Sequence, residues 1–129
     1  MAFANRLPGL WRDTARSPLI VSHRAGGNEA PENTIAALRA AQKAGSRVMQ
    51  MDVLLSEDGI PVVFHDKQLK RATGVDKLIS TVSAAELPFL REHLPALLDK
   101  NIVINTRDFG AQGYTIPTLQ QLLDEVTGR

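Results

Sequence analysis

Met49–Asp66 reads MQMDVLLSEDGIPVVFHD. Two apolar runs, Val48–Leu55 and Ile60–His65, flank Glu57-Asp58-Gly59, and aspartate-glycine between such runs signals a hairpin. The gap is too short for the helical crossover that parallel neighbours need, so the pair is predicted antiparallel. A two-residue turn at Asp58-Gly59 sets Asp52 opposite His65; a four-residue turn sets Gln50 there. In either register Gln50, Asp52 and His65 share one face, because strand side chains alternate. Directly opposed Cβ atoms lie roughly 4.5–5.5 Å apart. The hairpin is therefore expected to gather a carboxylate, an imidazole and an amide.

Upstream, Leu19-Ile20-Val21-Ser22 is a short apolar run of the kind a buried strand uses. It ends in His23-Arg24-Ala25-Gly26-Gly27. Asn33 or Thr34 then caps a helix running to about Ala44, with Ile35, Leu38 and Ala41 inward and Gly45 as its stop. Strand, glycine loop, helix and strand in that order open an α/β domain. Residues 1–17 read as a flexible leader; being arginine-bearing and acid-poor, they carry a faint transit-peptide character as well.

Downstream, Lys67–Lys77 reads as a polar loop. Ser83-Ala84-Ala85-Glu86 fits a capping box ahead of leucines 87, 90, 94, 97 and 98, with Pro88 and Pro95 breaking that pattern into short pieces. Asn101–Thr106 (NIVINT) suits an extra strand. The clearest helix follows Thr118, with Gln121 completing a capping box and Leu119, Leu122, Leu123 and Val126 at helical spacing.

The totals narrow the function classes. At 129 residues the chain is one domain or part of one. Its 43% hydrophobic and 22% charged residues are ordinary for a soluble globular protein. A net charge of +1, with scattered lysines and arginines, gives no field for nucleic acid. The absence of cysteine removes disulfides, zinc-thiolate sites and thiol nucleophiles. No apolar run approaches the ~20 residues of a membrane span, and the cytoplasm is the expected compartment.

Several side chains suit the chemistry of an anion. His23 and Arg24 end a strand before two glycines; the guanidinium offers a bidentate fork, and glycines let backbone N–H groups approach closely. An incidental surface pair is the plain alternative. Glu32 and Asp52 are hard oxygen donors suited to Mg²⁺ or Ca²⁺. Asp52 could equally pair with Arg24 or His65, and Glu32 could serve the helix dipole. His23 and His65 could form an acid and base pair across one substrate. His65 could instead be a histidine satisfied by Asp52 or Asp66, and His93 reads as simply exposed.

Taken together, Ser22–Ala40 (SHRAGGNEAPENTIAALRA) and Met49–Gly74 resemble the glycerophosphodiester phosphodiesterase family. Its pattern runs HRG or HRA, PENT, an E-x-D strand and DGxPVVFHD. Ile116–Leu123 (IPTLQQLL) resembles the family's IPTLEEVL helix. The resemblance implies a TIM-type barrel that uses a divalent cation, Mg²⁺ or Ca²⁺, to hydrolyse glycerophosphodiesters to an alcohol and glycerol 3-phosphate. By it, His23 and His65 match the general acid and base, Arg24 the phosphate-binding arginine, and Glu32 and Asp52 the metal-site carboxylates.

Two departures stand out. The E-x-D strand here is Gln50-Met51-Asp52, so one metal-ligand carboxylate has become an amide and the position is weakened. A full barrel also needs about 250 residues, so residues 18–129 are expected to form an incomplete TIM-type barrel, roughly its first half. An open sheet edge would follow, with self-association possible there. The alternative to an enzyme is a truncated or degenerate member that binds a phosphate or phosphodiester without turnover.

Overall fold

The computed structural model describes residues 18–27, 30–91 and 113–128. Strand β1 (Val21–Ser22) runs into a tight turn at His23–Ala25, and helix α1 (Ile35–Lys43) leads to strand β2 (Val48–Met49). β2 lies parallel to β1, with Val21 opposite Val48 and Ser22 opposite Met49. α1 is thus the crossover of a β-α-β unit, as the sequence order predicts. Strands β3 (Val53–Leu55) and β4 (Pro61–Val63) then form an antiparallel hairpin. A helical turn α2 (Lys70–Thr73), two 3₁₀ turns at Ile79–Thr81 and Ala84–Glu86, and helix α3 (Leu119–Thr127) complete the described elements.

The hairpin forms where expected, but in neither expected register. Leu55 faces Pro61 and Val53 faces Val63. The amide of Ser56 donates to the carbonyl of Ile60 at 3.1 Å, which leaves Glu57-Asp58-Gly59 as a three-residue loop. Gly59 takes a left-handed φ of 73°, the conformation such loops close on. The Ser56 hydroxyl fixes this choice by reaching Asp58 at 2.6 Å and the Ile60 carbonyl at 3.1 Å. The ladder therefore sets Phe64 against Asp52, the Phe64 amide donating to the Asp52 carbonyl at 2.9 Å. Asp52 and His65 do not oppose one another on a sheet face. Nor is 48–55 one strand: the chain leaves β1 after Gln50, whose amide donates to the Ser22 carbonyl, and joins β4 at Asp52.

The core lies on both sides of β4. Val62 packs with Phe64, Leu69, Ala72, Ile79, Val82, Leu90 and Ile116. Val63, pointing the other way, packs with Leu38 of α1 and Leu122 of α3. The Val63 amide also donates to the Pro117 carbonyl at 2.9 Å, which seats the start of α3 beside β4. Thr118 and Gln121 close the predicted capping box there. Thr34, rather than Asn33, caps α1 by accepting from the Ala37 amide at 3.1 Å.

Other expectations change. The 19–22 run is not buried: Ile20 is 72% and Val21 46% exposed, because β1 pairs with β2 alone among the described residues. Residues 67–77 are not merely a polar loop, since α2 folds there and buries Ala72 behind Leu69. Ser83 does not cap through the backbone; Pro88 lies too close for a longer helix, and only the turn 84–86 forms. Ile35 is half-buried, and Leu123 and Val126 remain exposed on α3. The leader, His93 and Asn101–Thr106 lie outside the described residues. Among those described, no helix is long and apolar enough to cross a membrane.

Candidate active site

The site begins at a backbone kink. Arg24 and Ala25 hold φ of 49° and 60°, left-handed values that side chains seldom adopt, and Asn33 holds 58°. Such residues cost of order 1–3 kcal/mol each and persist where the surroundings determine them. Here the Arg24 amide donates to Gln50 Oε1 at 3.0 Å, the Ala25 amide to the Gln50 carbonyl at 2.7 Å, and the Asn33 amide to the Arg24 carbonyl at 2.8 Å. Gly26 lets this turn press onto α1: a Cβ there would stand 3.2 Å from the Ala37 carbonyl oxygen.

The kink aims Arg24 at three acidic or basic neighbours. Its Nη1 donates to Glu32 Oε2 at 2.6 Å, and its Nη2 lies 2.9 Å from His65 Nε2. Its Nε, buried and without a hydrogen-bond partner among the described residues, stands 4.0 Å from Asp52 Oδ2. A guanidinium only donates, so the His65 Nε2 facing it must offer a lone pair. The other ring nitrogen, Nδ1, lies 2.6 Å from Asp66 Oδ1.

Asp52 is held from two sides. Gln50 Nε2 donates to its Oδ1 at 3.1 Å and Asn33 Nδ2 to its Oδ2 at 3.0 Å, while the Asp52 amide donates to Asn33 Oδ1 at 3.2 Å. The sequence reading took Asn33 for a possible cap and missed this clamp; its only sequence signal is that asparagine tolerates the left-handed backbone. Arg71 was missed as well. It donates to both oxygens of Asp66, at 2.6 and 3.0 Å, and to Glu32 Oε1. Arg24, Glu32, Gln50, Asp52 and His65 thus belong to one hydrogen-bonded network. His23 does not join it; exposed at the mouth of the turn, its ring has no hydrogen-bond partner among the described residues.

Two expectations about ligands change with this geometry. The glycine amides offer no anion site, since Gly26 and Gly27 both donate to the His23 carbonyl. A phosphate would meet the Arg24 guanidinium instead. Glu32 and Asp52 have the right chemistry for a divalent cation, but each of their oxygens already accepts a protein N–H. Gln50 turns its amine end, not its oxygen, toward Asp52. Among the described residues no group of three or more ionisable ligands converges. As arranged, these residues do not fit Mg²⁺ or Ca²⁺.

The charges tune one another. Partial burial raises the Glu32 carboxyl, but hydrogen bonds from Arg71 and Arg24 outweigh it and leave the group below its ordinary value. Hydrogen bonds from Arg71 carry Asp66 from 3.8 to about 2, and Asp66 in turn raises Arg71. A depressed carboxyl stabilises the fold above its ordinary value, and that gain is lost as pH falls through about 2. Because Arg71 is nearly half exposed, its worth is about 1–2 kcal/mol. The melting temperature of the chain is expected to fall between pH 4 and pH 2, and less steeply in Asp66→Asn. Equal slopes for the two proteins would contradict the assignment.

Residues 23–129 match the Glycerophosphoryl diester phosphodiesterase family. The chain belongs to that family. It is 32% identical over 127 residues to human glycerophosphoinositol inositolphosphodiesterase GDPD2, a match covering 88% of this chain and 24% of that protein. It is 46% identical over 68 residues to human lysophospholipase D GDPD1, covering 53% of this chain and 22% of that one. The chain therefore spans about a quarter of the length of these relatives. Among solved structures, a phosphodiesterase of Oleispira antarctica in complex with its product sn-glycerol-3-phosphate superposes with a TM-score of 0.63 at 35% identity. The match covers 86% of this chain and 40% of that one. A glycerophosphodiester phosphodiesterase of Thermotoga maritima gives 0.60 at 30% identity, over 83% and 38%. The β-α-β unit and hairpin are thus part of the TIM-type barrel of glycerophosphodiester phosphodiesterases.

Proposed function

We propose that residues 18–129 form the N-terminal part of a domain that hydrolyses glycerophosphodiesters to an alcohol and glycerol 3-phosphate. The observation that carries this reading is the contact of Arg24 with both Glu32 and His65, which joins an anion-binding guanidinium to an imidazole lone pair. Arg24, whose Nε donor has no hydrogen-bond partner among the described residues, supplies a guanidinium for the phosphodiester. When the phosphate takes the Arg24 fork, His65 Nε2 is released to accept a proton. The substrate's own hydroxyl loses that proton as its oxygen bonds to phosphorus. The bond from phosphorus to the leaving alkoxide breaks, and His23, exposed at the rim, donates the proton that the alcohol carries away. Water then opens the cyclic diester with the two histidines in reversed roles.

Release of glycerol 3-phosphate from glycerophosphocholine by the whole chain tests this. Turnover above a His23→Ala control, and its loss in His65→Ala, is the expected result; no turnover above that control would reject the hydrolytic reading for this chain. A second reading, binding without cleavage, is favoured by Gln50 and by the His23 ring, which has no hydrogen-bond partner among the described residues. Calorimetric binding of glycerol 3-phosphate without turnover would select it. β1, paired with β2 alone among the described residues and carrying exposed Ile20 and Val21, supports a further strand pairing there, from the rest of a barrel or from a second copy.

A further inference from the structure

Five side chains, His65 among them, close a ring. His65 Nδ1 meets Asp66; Asp66 accepts from Arg71; Arg71 donates to Glu32; Glu32 accepts from Arg24; and Arg24 Nη2 returns to His65 Nε2. Both guanidinium groups can only donate and both carboxylates only accept. One arrangement of the imidazole satisfies all of these contacts: a neutral ring with its hydrogen on Nδ1 and its lone pair on Nε2. The opposite tautomer would press an N–H against the Arg24 N–H and a lone pair against the Asp66 carboxylate.

Asp66 cannot keep that arrangement alone. It follows His65 directly in the chain, a quarter of its side chain is exposed, and one bond rotation would turn its carboxylate to solvent. Arg71 prevents this with a two-point fork on both oxygens. The backbone that carries the fork is anchored: Leu69, two residues before Arg71, and Ala72, directly after it, are 0% and 4% exposed in the core. The fold thus delivers a guanidinium, held also by Glu32, to the Asp66 carboxylate.

We propose that Arg71 is a positioning residue that acts through Asp66 to hold the His65 ring with Nδ1 protonated and Nε2 open to a substrate proton. Its effect on catalysis rests on the phosphodiester reading above; its effect on the ring does not.

The test is the state of the ring nitrogens, read by long-range proton–nitrogen correlation on the ¹⁵N-labelled whole chain. The pH is set well above the ordinary imidazole range, and His65 is identified by the signals lost in His65→Gln. In the wild type, Nδ1 is expected to give the shift of a protonated nitrogen and Nε2 that of a bare one. Arg71→Gln is expected to move both shifts toward a mixture with Nε2 protonated, and Asp66→Asn to do the same. Arg71→Lys, which keeps the charge and loses the fork, is expected to fall between and serves if the glutamine variant does not fold. A wild-type ring protonated on Nε2, or folded Arg71 variants with an unchanged pattern, would overturn the proposal. Where turnover is measured, kcat is expected to fall roughly ten- to hundredfold in Arg71→Gln with KM little changed. Absence of wild-type turnover would sink the hydrolytic reading, while the nitrogen shifts would still decide the role of Arg71.

Discussion

Replacing Arg24 with glutamine is expected to weaken glycerol 3-phosphate binding by roughly one to three orders of magnitude. The side chain is largely buried and its guanidinium spans Glu32, His65 and the approach to Asp52. Removing one partner of a desolvated, hydrogen-bonded charge pair costs about 2–5 kcal/mol, and each 1.4 kcal/mol is about tenfold in affinity. Part of that cost falls on the protein itself, because among the described residues Glu32 keeps only Arg71, and Asp52 loses the guanidinium 4.0 Å away. Glutamine cannot supply a planar fork, and lysine supplies charge at one point only. Arg24→Lys is therefore expected to recover a small part of the loss, even though the net charge is unchanged. Calorimetric titration of the whole chain with glycerol 3-phosphate checks this. Affinities within threefold of wild type for both variants would mean that the anion is bound elsewhere.

The sequence carried this region unevenly, for physical reasons. The parallel β-α-β order was legible because Thr34 and the apolar spacing of Leu38 and Ala41 are local signals. So was the capping box of α3, made wholly from residues three apart. The hairpin register was not, since it hinges on one hydroxyl: Ser56 satisfies Asp58 and Ile60 and makes the loop three residues long. A one-residue difference in register moves a side chain to the other face, and it moved His65 away from Asp52. The site nevertheless assembled, because Arg24 spans the gap that the strand pairing leaves. Asn33 and Arg71 were hidden for a different reason. Asn33 reaches Asp52 19 residues on, and Arg71 joins nearby Asp66 to Glu32 39 residues back, so neither stands out in its own segment.

The position of Gln50 leads to the other large effect. Gln50 Oε1 accepts the Arg24 amide, while Nε2 donates to Asp52 Oδ1. Glutamate of the same length keeps the first contact and replaces the second by two carboxylates facing each other at hydrogen-bond range. Like charges so placed raise one another's pKa and destabilise the fold unless a cation separates them. Gln50→Glu is therefore expected to lower the melting temperature by several degrees in chelator, with about 1–3 kcal/mol lost from the broken hydrogen bond and the repulsion. Added Ca²⁺ or Mg²⁺ is expected to restore it. Cation affinity by direct titration is expected to rise tenfold or more over the wild type, because the number of ligand charges tunes such sites. The two measurements must move together: repulsion without a gain in affinity would mean that Glu32 and Arg71 stay locked and no cation site opens. A variant with neither effect would place the Gln50 side chain away from Asp52, against the geometry that links β2 to the kink at Arg24.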